Sequence, residues 1–291
     1  MNIQIFNGDF FEEIKKVEDN SINLVLNDPP YGTTAIKWDS VLDFNKMWEE
    51  LDRVTTDNAN IVLFGSQPFS SLLITSKLDW FKYELIWNKN KCGSPGLAKY
   101  RPQKVHENIM IFSKGNGNVY NPIIEEGDPY HRFNEDGYGS GKNAHGYGFG
   151  NKNQGHTNEG TRYPKSILHA SRNFSAQQTT HPTQKPTNVL AWLIMTYSNP
   201  NDSVLDFTMG TGSCGVSCKM TGRNFIGIER ETDYFNIAKV RIELAEPGII
   251  NKSNHQLTTQ IHKDMKTIPD KKHEENFYKS LKNNNLNTFF E

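Results

Sequence analysis

The chain has 291 residues, 35% of them hydrophobic with 17 Phe, and a formal net charge of −1 at pH 7. Length and apolar content allow one large domain or two modest ones, and near-neutrality excludes a polycation that would bind nucleic acid over its whole surface. No apolar run approaches a membrane span, and the 3 cysteines cannot form a disulfide framework, which points to a reducing compartment.

The opening residues MNIQIFNGDF lack the basic start and long apolar stretch of a signal peptide. IQIF (3–6) then reads as a strand and FFEEIKKV (10–17) as a helix. INLVL (22–26) is a strand that ends abruptly at Asp28-Pro29-Pro30-Tyr31. A helix over 43–54, a strand over 61–65 and a helix over 68–76 follow. Two strands, 83–87 and 108–113, have no convincing helix between them. Strand and helix alternating in this way predicts a mostly parallel sheet covered on both faces. The helix-free pair suggests an antiparallel edge.

Between 82 and 114, Lys82, Lys89, Lys91, Lys99, Arg101, Lys104 and Lys114 face Glu84 and Glu107, a local balance of +5. That is a candidate basic face, although a solvated loop has the same composition. Residues 115–180 break the α/β pattern. Gly, Asn, Tyr and His dominate there, and such a segment cannot build a core alone. A long insert inside a compact domain is uncommon and is often functional. Its Tyr138, Tyr147, Phe149 and Tyr163, with Lys142, Lys152 and Arg162, mix rings and cations as nucleic-acid surfaces do.

The α/β pattern resumes with an apolar helix over 188–198, a strand over 203–207, a strand over 225–229 and a helix over 232–245. After Pro247 the chain is polar and rich in Asn and Lys. Cys214 and Cys218, four apart on a helix with no nearby third ligand, read as small buried side chains rather than a metal site. Trp87 and Trp192 read as core, and His106 and His181 as substrate contacts or structural hydrogen-bonders.

Two motifs carry chemistry. In VLDFTMGTGS (204–213) a strand enters a Gly-x-Gly turn and then a helix, where glycines allow close backbone approach and the helix start offers free N–H groups. Glu229 closes the next strand about twenty residues on, placed to accept from ribose hydroxyls. Asp206 within the first strand argues against a pyrophosphate ligand. It favours one bearing an ammonium, a carboxylate and a ribose, as S-adenosyl-L-methionine does. At 28–31, Asp28 supplies a carboxylate acceptor and Pro29 a carbonyl. The prolines preorganise both and remove competing N–H donors. Tyr31 can stack on a flipped base. Such a site holds an exocyclic amine out of conjugation by alignment and polar preorganisation rather than by a strong base.

Together these motifs resemble the β group of DNA amino-methyltransferases, which modify adenine N6 or cytosine N4 and place the Asp-Pro-Pro-Tyr strand ahead of the Gly-rich one. NGDFFEEI (7–14), the stretch 87–115 and HPTQKP (181–186) fit the same family. The resemblance implies a circularly permuted, Rossmann-like methyltransferase fold with a mostly parallel seven-stranded sheet. It implies a catalytic domain over 1–115 and 180–246, a target-recognition insert over 116–179 and a C-terminal extension over 247–291. Asp28, Pro29, Pro30 and Tyr31 become the catalytic motif. Asp9, Asp206, Phe207, Gly210, Gly212 and Glu229 line the cofactor pocket, and Thr183, Lys185 and Ser213 contact the methionine carboxylate. Lys89, Lys91, Arg101, Lys142, Lys152 and Arg162 are expected to contact DNA. The implied cofactor is S-adenosyl-L-methionine and the implied partner is double-stranded DNA, with no membrane. A homodimer and a cognate restriction endonuclease are the further partners to look for, in a bacterial or phage-encoded cytoplasmic protein. Asp at the head of the motif leans to adenine N6; cytosine N4, or an RNA or protein-glutamine substrate, stays open, as does a non-catalytic cofactor-sensing module.

Overall fold

The computed structural model describes residues 1–32, 41–89, 92, 95–115, 117–132, 156–170 and 184–247. In chain order they form β1 (Ile3–Asn7), α1 (Phe10–Glu13), β2 (Ile22–Asn27), α2 (Phe44–Val54), β3 (Thr55–Gly65), α3 (Phe69–Ser76), β4 (Phe81–Asn88) and β5 (His106–Phe112). Short strands β6 (Glu125–Glu126), β7 (Tyr130–Arg132), β8 (His156–Asn158), β9 (Thr161–Arg162) and β10 (Ile167–His169) follow. The chain then makes α4 (Thr187–Tyr197), β11 (Ser203–Asp206), α5 (Ser213–Thr221), β12 (Asn224–Glu229) and α6 (Thr232–Leu244).

The main sheet has eight strands in the order β1-β12-β11-β2-β3-β5-β4-β10. Every neighbouring pair is parallel except the two made by β5, which runs antiparallel to β3 and to β4. The mostly parallel α/β sheet expected from the sequence is present, with two corrections. The antiparallel strand lies inside the sheet rather than at its edge. The eighth strand, β10, comes from the segment read as an insert and pairs in parallel with β4. A three-residue strand in a Gly- and Asn-rich stretch carries no periodicity that could announce it.

Strand alternation sorts the core into two layers. Leu24, Leu26, Val62, Phe64, Ile109, Ile111 and Val204 pack with α4, α5 and α6. Val25, Ile61, Leu63, Met110, Phe112 and Leu205 pack with α1, α2 and α3. Neighbours in sequence therefore face opposite layers, as the pleat requires. Helices on both sides explain why the central strands are nearly continuous apolar runs. In α2, Met47, Trp48, Leu51 and Val54 are buried along one stripe, and the Asp43 carboxylate caps the helix by accepting from the Asn45 and Lys46 N–H groups at 3.0 and 3.3 Å. Every residue of α4 is buried. The expected helix over 10–17 is shorter: it turns into a 3-10 segment at Ile14–Lys16.

Chain direction opens the site. From β2 the chain crosses one face through α2 to β3; from the adjacent β11 it crosses the other face through α5 to β12. Connections that leave neighbouring strands on opposite faces create a crevice outside their carboxyl ends, the usual ligand position in open α/β sheets. A strap of the chain after β5 secures the opposite end of α4. The Asn60 amide donates to the Val119 and Tyr197 carbonyls at 2.8 and 3.0 Å and accepts from the Asn118 amide at 2.8 Å. Replacing Asn60 with Ala would leave these buried groups unpaired. Its urea-unfolding midpoint should fall by the equivalent of about 1–3 kcal/mol, with m unchanged.

Candidate active site

A cavity of about 310 Å³ fills the crevice. Its walls include Asn27, Asp28, Pro29, Pro30 and Tyr31 from the end of β2, and Asp206 through Thr211 from the end of β11. Gly8, Asp9 and Phe10 come from the β1–α1 turn, and Glu229 and Glu231 from the end of β12. Gln184 and Lys185 enter from just ahead of α4. Asp28 and Gly210, distant in sequence, thus border one space.

The floor is sewn together across the crevice. The Asn27 side-chain oxygen accepts from the Thr208 N–H at 2.9 Å and from its hydroxyl at 3.1 Å, and the same hydroxyl lies 3.1 Å from the Asp28 carbonyl. The Asp28 side chain is 24% exposed and facing the cavity. Its Oδ1 accepts from the Tyr31 hydroxyl at 2.5 Å, and its Oδ2 from the Lys185 ammonium. Burial pushes the Asp28 carboxyl above its ordinary range; Lys185 pulls it down and Glu107 pushes it further up. The Tyr31 ring packs against Phe69, with centroids 5.0 Å apart.

Across the cavity, burial raises the Asp206 carboxyl well above its usual value. The Thr208 N–H opposes this, and the like charges of Asp28 and Glu229 add to it. Glu229 is also raised by burial, against the N–H groups of Glu231 and Gly210, each donating to its carboxylate at 2.8 Å. Asp9 caps α1, accepting from the Phe11 N–H at 2.9 Å. Phe10 and Phe207 stack at 4.5 Å on the adjoining wall. Ser213 and Thr211 receive the Arg241 guanidinium at 3.3 and 2.9 Å.

The two turn glycines separate in role. Gly210 has φ 54° and open space around its would-be Cβ, on the cavity wall. Gly212 has φ 78°, but a Cβ there would sit 2.8 Å from that of Ala238. It seats the turn on α6 and does not line the cavity, contrary to expectation. Lys185 also departs from expectation: its ammonium engages Asp28 and lies 3.4 Å from Glu107 Oε2. Thr183 and His181 fall outside the described residues.

The expected DNA contacts divide similarly. Lys89 is 2.9 Å from Glu107 Oε1, with both side chains largely buried. The Arg162 guanidinium holds its own hairpins together, donating to Asn158 Oδ1 at 2.5 Å and to the Asp128 carbonyl, 4.8 Å over the Tyr130 ring. Arg101 is exposed. Lys91, Lys142 and Lys152 lie outside the described residues. Cys214 and Cys218 are buried, and no group of three His, Cys, Asp or Glu among the described residues could hold a metal. Trp87 and Trp192 are core. Sequence reasoning passed over Asn27, Thr208 and Gln184 as site residues, and noticed Glu107 as a charge alone. Buried polar side chains at strand ends were the available signal.

Comparisons with known proteins identify the family and the fold. Residues 22–240 match the family model described as DNA methylase, of N6/N4 type. M1.MboII, a type II methyltransferase of Moraxella bovis, is 30% identical over 243 residues, covering 78% of this chain and 92% of that protein. M.HinfI, a type II methyltransferase of Haemophilus influenzae, is 27% identical over 278 residues, covering 84% and 69%. The crystal structure of the M1.HpyAVI–SAM complex aligns with a TM-score of 0.57 at 25% identity, over 83% of this chain and all 100% of that one. The chain belongs to the N6/N4 DNA methylase family, which uses S-adenosyl-L-methionine, and its fold is the Rossmann-like methyltransferase fold. Among the described residues no helix is long and apolar enough to cross a membrane.

The two glycines provide a test of the turn. Gly212→Ala combines a positive-φ cost with overpacking and should lose roughly 2–6 kcal/mol, whereas Gly210→Ala carries the φ cost of about 1–3 kcal/mol alone. Unfolding midpoints of the two variants should rank accordingly.

Proposed function

We propose that this DNA methylase methylates the exocyclic amine of a flipped base, adenine N6 in the first instance. The observation that carries this reading is the meeting of Asp28, Tyr31 and the Gly210 turn on one cavity. Asp at position 28 supports adenine, by family habit; cytosine N4 is the alternative outcome.

The residues present suit the cofactor. The space is of the size of a small-molecule site. Gly210 leaves room for close approach, and carboxylates at 9, 206 and 229 suit an ammonium and ribose hydroxyls. A cation beside Asp206 would draw that carboxyl back to its ionised form. Asp9, Asp206, Phe207, Gly210 and Glu229 would hold the cofactor, with Ser213 nearer the methionine end. When bound, S-adenosyl-L-methionine supplies an electrophilic methyl group on a sulfonium.

The chain's own residues do the rest. Flipping a base costs a few kcal/mol, and stacking on Tyr31 returns roughly 1–3 kcal/mol. The Asp28 carboxylate and the Pro29 carbonyl accept the two amine hydrogens and hold the nitrogen lone pair out of the ring. Once methylated, the nitrogen carries a surplus proton, which leaves to Asp28 or to solvent. Asp28 acts in its ionised form, and its raised carboxyl means that activity falls as pH drops through a value above the ordinary aspartate range. Phosphate contacts, Arg101 among them, would give salt-sensitive affinity.

Nucleoside mass spectrometry of DNA from a host expressing the protein tests the reading. N6-methyladenine is expected, N4-methylcytosine would move the specificity, and neither would sink the proposal. Asp28→Ala should lower the single-turnover rate by 10²-fold or more, on the order of one lost polar stabiliser, while calorimetry shows cofactor binding near the wild-type level. Wild-type turnover in that variant would overturn the mechanism.

A further inference from the structure

A line of alternating charges runs from the end of β4 to the turn after β2. Lys89 at the end of β4 lies 2.9 Å from Glu107 Oε1, and Glu107 Oε2 lies 3.4 Å from the Lys185 ammonium, which itself donates to Asp28 Oδ2. The inner members are well shielded: the Lys185 side chain is 7% exposed and that of Glu107 12%. Lys185 also sits 5.0 Å over the Phe64 ring. An ammonium withdrawn this far from water is tolerated when anions surround it. Three separate strands and the lead-in to α4 deliver these groups to one place, although they are scattered in sequence.

We propose that Lys185 and Glu107 are positioning residues for methyl transfer: Lys185 keeps Asp28 anionic and fixes its carboxylate plane, and Glu107 holds Lys185 in place. The proposal rests on the reading of Asp28 as acceptor of the amine hydrogens. With Tyr31 on Oδ1 and Lys185 on Oδ2, the Asp28 carboxylate is fastened at both oxygens and keeps a lone pair for one amine hydrogen, the Pro29 carbonyl taking the other. A carboxylate held in this way is preorganised for an amine that presents two hydrogens in one plane. Without Lys185, the charges of Asp28 and Glu107 would act on each other unshielded, and one would take up a proton. Protonated Asp28 would be a neutral and weaker acceptor for its amine hydrogen.

Among the described residues, the other charged groups around this pair are Asp206 on β11, which feels the like charge of Asp28, and Lys104 and Lys89, which face Glu107. These stay constant in the variants below, so opposite shifts can be read from single changes. Removing the positive charge should raise the acid limb of activity, whereas removing the Glu107 charge should lower it. A structural role alone would move neither.

The test uses the full chain with duplex DNA from the expressing host's unmethylated parent strain. Single-turnover methyl transfer is measured between pH 5 and 9, cofactor affinity by calorimetry, and the Asp28 carboxyl carbon by NMR in cofactor-free protein. In Lys185→Met the acid limb and the Asp28 titration should both move up by about 1–3 pH units, with cofactor affinity within about threefold of wild type, a change under 1 kcal/mol. In Glu107→Gln, an isosteric change that also covers the case of a poorly folding Lys185→Met, both should move down. Lys185→Arg should restore the wild-type limb. Unshifted limbs, shifts of the same sign, or loss of cofactor affinity without a shift would each overturn the proposal, the last returning Lys185 to a grip on the methionine end. A wild-type chain that methylates no DNA would remove the parent reading and the catalytic half of this one. The NMR titration would still show separately whether the charges act on Asp28.

Discussion

The bonds from Thr208 to Asn27 and Asp28 hold together two strands whose chains depart in opposite directions. β2 and β11 are neighbours in the sheet, yet one feeds the helix layer of α1 to α3 and the other the layer of α4 to α6. Nothing in a parallel ladder prevents such a crevice from gaping at its carboxyl end. Thr208 supplies the stitch, at 2.9 Å from its N–H and 3.1 Å from its hydroxyl. The stitch leaves the Asp28 side chain free to engage other groups and sets its distance from the Gly-rich turn. The two sides of the cavity, at Asp28 and at the Gly210 turn, depend on that spacing.

Electrostatics follow from this closeness. Asp28, Asp206 and Glu229 sit around a single space with their carboxyls raised, chiefly by burial. Three acids in one cleft are unfavourable when the cleft is empty, and the chain offsets them in different ways. Glu229 is held by two backbone N–H groups and Asp28 by an ammonium and a phenol. Asp206 has a 3.3 Å contact from the Thr208 N–H, and burial still holds its carboxyl well above the usual value. The least compensated of these three acids marks where a cationic ligand would gain most from binding, and it lies beside the Gly210 turn.

Much of this was legible in the sequence. Alternating strand and helix patterns placed the central strands, because burial on both faces demands long apolar runs. The two motifs announced the cavity because prolines after an acid, and a glycine at positive φ, are costly choices without a local reason. What stayed hidden was of two kinds. β10 is too short for periodicity, and it exists through its pairing with β4. Partner choice was also hidden: Lys185 could have met a cofactor carboxylate or Asp28, and Gly212 could have faced a ligand or Ala238. Spacing along the chain does not distinguish these; they are decided by where separate elements meet.

The basic stretch over 82–114 shows the same limit from the side of charge. Its surplus suggests a phosphate-binding face, but several of its cations are already engaged. Lys89 is paired with Glu107, Lys104 donates to the Ser66 hydroxyl at 2.5 Å, and Lys114 is 2.8 Å from Asp52. Lys99 and Arg101, beside the 3-10 turn at Pro95–Leu97, are exposed and have no ion pair among the described residues. A salt-sensitive contact with DNA gains from a cation in proportion to the counterions it releases, and a cation already neutralised by a carboxylate contributes little to that release. The near-neutral net charge of −1 is therefore compatible with DNA as substrate. Lys89 is already paired with Glu107, whereas Lys99 and Arg101 are exposed, where a phosphate contact would gain most.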